Sequence, residues 1–561
     1  MNQKLTLLAL LSCISLGANA AQEAFYTISE VQSASASNNG PWALGMAKDG
    51  TVVSLSSTND AFSYFLMAPT GMDLAHRFRY EFPCDEQMSS TVCDTFWDGS
   101  ASRALQWRND TVSYLSQLFT TVSGTTRTEV DGVITKLGSD ASNYVGYQVA
   151  QSPDSSGYYH QRNAMASVGG SLVALNNSAN TDGHSFSSAY DMLSLGDSML
   201  IAGTANTSNV APDNAFGRCY NGNNYQEGEY RFCPGFNTQA SVWLLTSGAS
   251  AATAVQAPAY YNGDNGIVQT ASVMGLADRG AGSVLAAGYS STDKIDGDET
   301  SGRNVAVTWP VTVSGADVTI GNPSLIPLPK SAPGEGDKVL RHTWAVAVNS
   351  QGYVIGNQKY SGVKSRNTPV EMFIYNANSN STSVPLEDSP SSGANSEAAA
   401  LNSHNQVVGW RDERSETQPV YQGSPRLQEA FLYNINSGSN WRLNDLICGK
   451  DGSTSQCQQN GYYYYIVNAT AINDDGTIAA TAYRYNSHDD WAKRTNPTVV
   501  SVKLSPNGSF DSNYDVPADR VVTNGLPTND YGQSAGSGSL SWLTLCALLP
   551  LGWLRRRNGS M

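Results

Sequence analysis

The sequence predicts an all-β protein: a β-propeller of seven four-stranded blades, with loop insertions that include a short helix. Three observations predict it. A strand–turn–strand segment recurs along the chain, the composition is that of a turn-rich β protein, and 561 residues are too many for one ordinary core. Only 14% of residues are charged, while glycine (51) and tyrosine (28) are abundant, the profile of an extracellular β-rich chain rather than a helical cytosolic enzyme.

The repeat is clearest late in the chain. "AVAVNSQGYVIG" (345–356), "AAALNSHNQVVG" (398–409) and "ATAINDDGTIAA" (469–480) each read as a strand, a polar Asn-x-x-Gly or Asn-x-x-Asn turn, and a second strand. A third strand follows each: "EMFIYN" (371–376), "EAFLYN" (429–434) and "TVVSVKL" (498–504). A fourth follows the first two, "STSVPLED" (381–388) and "NWRLNDLI" (440–447). Weaker copies begin at "ALGMAKDGTVVS" (43–54), "TKLGSDASNYVG" (135–146), "YDMLSLGDSMLIAG" (190–203) and "ASVMGLADRGAGSVLAAG" (271–288), which brings the count to seven. Four-stranded units repeated with insertions are the pattern of propeller blades, with tandem β-sandwiches as the rival. The seventh copy lacks a fourth strand, so "AFYTISEV" (24–31) is expected to complete it by pairing with 498–504, leaving no open edge.

Insertions interrupt the units at about 69–128 and 205–236. The first carries a predicted helix over 102–122, with Leu105, Val112, Leu115 and Leu118/Phe119 on one stripe. The propeller is expected to span 21–504, followed by a Ser/Asn/Asp/Gly-rich linker, 505–539, and a C-terminal tail, 540–561.

The first 20 residues, "MNQKLTLLALLSCISLGANA", combine Lys4, an apolar run and a small-x-small site at Ala18 and Ala20, which predicts a signal peptide cut after Ala20 by signal peptidase. A lipoprotein box ending at Cys13 is the alternative. At the other end, Gly536 and Gly538 precede an apolar run, 540–554, and then Arg555, Arg556 and Arg557, which would hold the end on the cytoplasmic side. The run is short for a free-standing span. Removing signal and tail takes away four positive charges and no negative ones, so the formal charge goes from −15 to −19. Such a surface disfavours nucleic acid as a partner.

Six cysteines remain after processing, in three sequence-local pairs: Cys84/Cys93, Cys219/Cys233 and Cys448/Cys457. An even count in an exported chain predicts loop-stapling disulfides, since none of the spacings is that of a zinc knuckle.

The order of parts in the tail resembles the Gly-Gly C-terminal sorting tails of exported Gram-negative proteins, processed by the rhomboid-like protease rhombosortase. That resemblance implies transient inner-membrane insertion, then cleavage and display at the cell surface or release. A simple tail anchor is the plainer reading. The late repeats resemble HAF extracellular repeats, best at Ala430-Phe431-Leu432-Tyr433. Together the two features resemble an uncharacterised secreted Gram-negative family of unknown function, which supplies no catalytic residues.

Chemistry is sparse in the sequence. The six histidines are scattered, with no H-x-x-x-H pair, nucleophile elbow or phosphate loop. His404 reads as a solvated turn residue. Asp293, Asp296, Asp298 and Glu299 in "DKIDGDE" offer hard oxygen ligands for calcium, against a solvated acidic turn; no other cofactor is expected. "GYYYYIV" (461–467) offers tyrosines for sugar stacking or for packing, with alternate side chains buried. Three function classes follow. The favoured one is a non-enzymatic binding, adhesion or cell-envelope module with an extracellular glycan or protein ligand. The others are a secreted polysaccharide hydrolase or lyase with its site at the propeller mouth, and a structural surface component.

Overall fold

A computed structural model describes residues 24–31, 39–57, 118–122, 125–127, 132–149, 161–177, 185–210, 236–261, 270–294, 302–328, 340–360, 369–387, 393–414, 428–449 and 457–520. The fold is all-β, in several antiparallel sheets. After a first strand β1 (Tyr26–Glu30), the pairings resolve into successive meanders. The first is β2 (Asn39–Met46), β3 (Val52–Ser57), β4 (Leu118–Val122) and β5 (Thr125–Arg127). The second is β6 (Gly132–Leu137), β7 (Tyr144–Val149), β8 (Gln161–Val168) and β9 (Ser171–Asn176). The third is β10 (Ser185–Leu195), β11 (Ser198–Val210) and β12 (Phe236–Leu245), followed by the short β13 (Ala251–Thr253) and β14 (Val255–Gln256). The fourth is β15 (Ala271–Gly280), β16 (Ser283–Lys294), β17 (Gly302–Ser314) and β18 (Asp317–Ile320), with β19 (Ser324–Leu325) also on β17. The fifth is β20 (Leu340–Val348), β21 (Tyr353–Tyr360), β22 (Val370–Asn376) and β23 (Ser381–Ser383). The sixth is β24 (Ser396–Leu401), β25 (Gln406–Asp412), β26 (Gln428–Asn434) and β27 (Asn440–Arg442), ending in a single turn α1 (Leu443–Leu446). The last sheet holds β28 (Gln458–Gln459), β29 (Tyr462–Ile472), β30 (Ile478–Tyr485), a short α2 (His488–Lys493) and β31 (Thr498–Pro506).

β1 pairs antiparallel with β31, Ile28 opposite Leu504. Tyr26 and Ile28 are buried while Thr27 is exposed, so the apolar face of β1 turns to the core. The expected N-terminal completion of the last sheet is therefore present.

Successive sheets pack face to face through their own apolar clusters. Leu200 and Val242 of the third meet Val273 and Trp309 of the fourth; Ile355 and Met372 of the fifth meet Val407 and Phe431 of the sixth. Met46 and Val52 of the first pack on Ala479 of the last. The first strands adjoin one another in the same order: β2 with β6, β6 with β10, β10 with β15, β15 with β20, β20 with β24, β24 with β29, and β29 with β2. The second and third meanders are also joined by short parallel pairings, β8 with β10 and β9 with β13.

Four expectations are corrected. The helix expected over 102–122 does not reach its predicted end: Leu118–Val122 is β4, paired with β3, and its Thr120, Thr121 and Val122 are β-branched residues that suit a strand. The rest of that helix lies outside the described residues. Residues 205–210, expected to begin an insertion, continue β11, with Val210 opposite Phe236.

Residues 505–520, expected to begin a polar linker, are packed against the sheets. Phe510 meets Phe25 edge-on with ring centroids 5.2 Å apart, and Tyr514 stacks on His404 at 3.6 Å, so His404 is not a purely solvated turn residue. Asn434 Nδ2 donates to the Asn513 carbonyl at 2.8 Å and Ser437 Oγ to Asp515 Oδ1 at 2.8 Å. The polar composition of this stretch serves bonds to the sixth meander's turns.

Lastly, the two buried tyrosines of 462–465 are the consecutive Tyr464 and Tyr465. The sheet is covered on both faces there, so alternation does not decide burial. Tyr464 donates to Glu30 at 2.6 Å, Arg484 lies over the Tyr462 ring at 4.6 Å, and Tyr463 lies 5.8 Å from Trp491 of α2. These tyrosines hold β1 and α2 in place.

The Cys448–Cys457 disulfide is present, joining the end of the sixth meander to β28. Cys84, Cys93, Cys219 and Cys233 lie outside the described residues, as do Ala18, Ala20, Gly536, Gly538 and Arg555 to Arg557. No helix among the described residues is long and apolar enough to cross a membrane.

Candidate functional site

The site is built from a feature that all the first strands share. Each carries a β-bulge, one unpaired residue inserted just before the hairpin: Leu44, Thr135, Tyr190, Met274, Val346, Ala399 and Thr470. A bulge bends its strand and re-aims a side chain. All the bulged residues line one open channel of about 690 Å³, together with residues of the hairpin turns.

The glycine of the Val-Val-Gly and Val-Ile-Gly signatures has its reason here. Gly409 lies opposite Ala398, directly beside the bulge, and a Cβ there would sit 1.9 Å from the Glu397 carbonyl oxygen. Gly203, Gly288 and Gly356 stand equivalently, a Cβ meeting the carbonyls of Ser188 (1.9 Å), Ser272 (1.9 Å) and Trp344 (2.2 Å).

The asparagines of the turns tie neighbours together around the mouth. Asn402 Oδ1 accepts the backbone N–H groups of His404 (3.0 Å) and Gln406 (2.9 Å), closing its own turn, while Nδ2 donates to the Asn473 carbonyl at 3.1 Å. Asn349 Nδ2 donates likewise to the Asn402 carbonyl (3.1 Å), and Asn473 Nδ2 to that of Ala47 (2.9 Å). The repeated asparagine thus shapes one turn and fixes the next.

The residue after each bulge is small in most copies: Gly45, Gly275, Ala347, Ala400 and Ala471. In the second and third copies it is Lys136 and Asp191, and these adjacent strands bring Lys136 Nζ to 3.9 Å from Asp191 Oδ1 on the channel wall. The Lys136 side chain is 48% exposed and that of Asp191 15%. The Leu276 N–H donates to Asp191 Oδ2 at 2.8 Å, and Thr135 Oγ1 donates to the Ala189 carbonyl at 2.6 Å, tying β6 to β10. Burial pushes the Asp191 carboxyl above the usual carboxylate range; Lys136 and the Leu276 and Met192 N–H groups pull the other way without cancelling it. Tyr147, Tyr190 and Trp410 add aromatic surface to the lining, and Asp278, Asp474 and Asp475 stand at the hairpin turns.

A second ionic group lies at the opposite ends of the sixth meander's strands. Glu429 accepts from Arg411 (3.2 Å) and Arg442 (3.0 Å), and Arg414 pairs with Asp445 at 2.7 Å. Burial raises the Glu429 carboxyl against the pull of Arg411, Arg414 and Arg442. These charges are engaged with one another, and the group reads as internal pairing.

Sequence reasoning missed Lys136 and Asp191. The signal was available, since "TKL" and "YDM" place a charge where the other copies carry alanine or glycine. Of the expected calcium ligands, Asp293 lies in β16, and Asp296, Asp298 and Glu299 lie outside the described residues. Among the described residues, no group of three or more His, Cys, Asp or Glu is gathered for a metal.

Likeness to solved structures is remote. The matches include an ulvan lyase of polysaccharide lyase family 25 (11% identity, 64% of this chain and 80% of that chain, TM-score 0.28). They also include a levansucrase from Bacillus subtilis (11% identity, 53% and 80%, TM-score 0.28). A third is a family 43 arabinoxylan arabinofuranohydrolase from Bacillus subtilis (10% identity, 88% and 91%, TM-score 0.23). At such TM-scores these likenesses assign no activity. No curated protein matches the sequence. Residues 186–557, which run from the third meander to the C-terminal tail, match a family described as a protein of unknown function, DUF3466, and the chain belongs to that family.

Proposed function

We propose that this chain is an exported, closed seven-bladed β-propeller that cleaves a polysaccharide, by hydrolysis or elimination, in its axial channel. The adjoining first strands and the packing of Met46 and Val52 on Ala479 support the closed ring. The signal peptide expected over residues 1–20 supports export. The observation that carries the activity is the Lys136–Asp191 pair, two ionisable groups on the channel wall where equivalent positions are small and apolar. Burial raises the Asp191 carboxyl, and a carboxyl raised in this way is suited to donate a proton to a leaving glycosidic oxygen. The channel offers sugar rings both aromatic surface and polar groups. The adhesion module favoured by the sequence needs neither the pair nor the channel, and nothing in the geometry supports it.

The test is incubation of the mature domain with a panel of polysaccharides. New reducing ends report hydrolysis, and the ultraviolet absorbance of unsaturated uronates reports elimination. Asp191→Asn should reduce turnover about 100-fold or more. The same variant should be at least as stable as the parent at neutral pH. Because the folded-state pKa of Asp191 is raised, the folded chain binds that proton more tightly than the unfolded one. Stability is then lost as pH rises from the unfolded pKa to the folded one. Asparagine removes that loss and its carbonyl can still accept the Leu276 N–H, so any gain in melting temperature should vanish below about pH 4. Turnover unchanged in Asp191→Asn would remove this site from the reaction.

A further inference from the structure

The charge of the channel bears on which polysaccharide it admits, an inference that rests on the proposed channel site. Tyrosines aside, the ionisable groups among the described lining residues are two lysines and five carboxyl groups. With the Asp191 carboxyl as proton donor, Lys136, 3.9 Å from it on the wall, and Lys48 stand against the three aspartates Asp278, Asp474 and Asp475. The three aspartates are set by their turns. Asp278 Oδ1 accepts the Gly280 N–H at 2.8 Å, Asp474 Oδ1 that of Ser403 at 2.9 Å, and Asp475 Oδ1 that of Thr477 at 2.9 Å. The Ser403–Asp474 bond joins the turns of the sixth meander and the last sheet, so this carboxylate is built into the mouth. Arg279, the cation beside Asp278, is turned to the Ser350 carbonyl (2.9 Å) and Asn378 Oδ1 (2.7 Å).

A channel with low-dielectric walls focuses the field of its charges. A chain of uronate or sulfated sugars would bring an anion past this mouth at every residue, with Lys48 to meet it. β-Elimination has a further requirement. The proton on C5 is removed, the bond from C4 to the leaving oxygen breaks, and the uronate carboxylate must be neutralised while the carbanion forms. That calls for cationic groups around the carboxylate, and the lining supplies the opposite sign.

We propose that the channel takes a glycan without anionic groups, an amino-sugar polymer in preference to a neutral one, and cleaves it by hydrolysis. Water adds across the glycosidic bond, hydrogen to the leaving oxygen and hydroxyl to the anomeric carbon. Asp191 stands on the wall as the proton donor. Lys136 is the positioning residue that faces it, and the carboxylates at the mouth draw in ammonium groups.

The test is calorimetric titration of the mature domain with chitosan, xylan and polygalacturonate oligosaccharides at low and high salt. Chitosan oligomers should bind tightest, about tenfold more weakly in Asp474→Asn/Asp475→Asn, and severalfold more weakly at high salt. Xylan oligomers should bind more weakly, with little response to either change. Polygalacturonate should show no binding. Polygalacturonate bound more tightly than chitosan, with the affinity lost in Lys48→Ala, would overturn the charge inference and leave the channel site standing. Binding of none of the three would overturn the site and this inference together.

Discussion

A mature chain lacking residues 24–31 should fail to give a folded monomer. β1 pairs with β31 from Tyr26 opposite Pro506 to Glu30 opposite Val502, joining chain positions more than 450 residues apart. It buries Phe25, Tyr26 and Ile28 almost completely, the Tyr26 hydroxyl donates to the Gly476 carbonyl at 3.2 Å, and Arg484 pairs with Glu30 at 2.9 Å. Three buried side chains of this size are worth roughly 6 kcal/mol, against a total stability on the order of 5–15 kcal/mol. The deletion also exposes the edge of β31, an unpaired row of backbone groups that invites association. Size-exclusion chromatography with light scattering should show aggregates in place of the monomer. A synthetic peptide of residues 22–33 added during refolding should restore monomer, as in strand complementation. A truncated chain that stays monomeric with an unchanged melting temperature would show that the last sheet does not need β1 to complete it.

Gly409→Ala should cost about 3 kcal/mol, large for one methyl group. The added Cβ meets the Glu397 carbonyl oxygen at 1.9 Å, so the backbone beside the bulge must open or the β24–β25 pairing must slip. Ala480, at the same place opposite Ala469 in the last sheet, already carries a Cβ and provides the comparison. Ala480→Gly should cost only about 1 kcal/mol, the backbone entropy of a glycine in a strand. Denaturant midpoints of the two variants make the measurement. A loss below about 0.5 kcal/mol for Gly409→Ala would mean the sixth meander relaxes as the last sheet does.

The repeating part of the fold was legible because a hairpin is a local object. Asn349, Asn402 and Asn473 mark their turns in the sequence, and the strands on either side alternate or run apolar as buried strands do. The role of β1 was legible from what the seventh copy lacked. What escaped was non-local. The Asn402 side chain reaches a turn 71 residues away, and Tyr514 stacks on a ring 110 positions earlier. The partners that turn 505–520 from linker into packing, and the parallel pairing of β9 with β13, likewise join different meanders. The helix over 102–122 overreached because Leu118 and Phe119 fit an apolar stripe while Thr120 to Val122 paired as a strand. At the candidate site no single-residue motif marks the pair; only the columns of the repeat set Lys136 and Asp191 apart. A charge at one column of one copy carries little meaning until the fold sets Lys136 beside Asp191.

A crystal structure of Asp191→Asn bound to a chitosan oligosaccharide tests the central claim most directly. A sugar is expected in the channel between β6 and β10, its glycosidic oxygen within hydrogen-bonding distance of residue 191 and its amino groups toward Asp474 and Asp475. An oligosaccharide seated instead among the connections at the opposite ends of the strands, with the channel free of sugar, would contradict it.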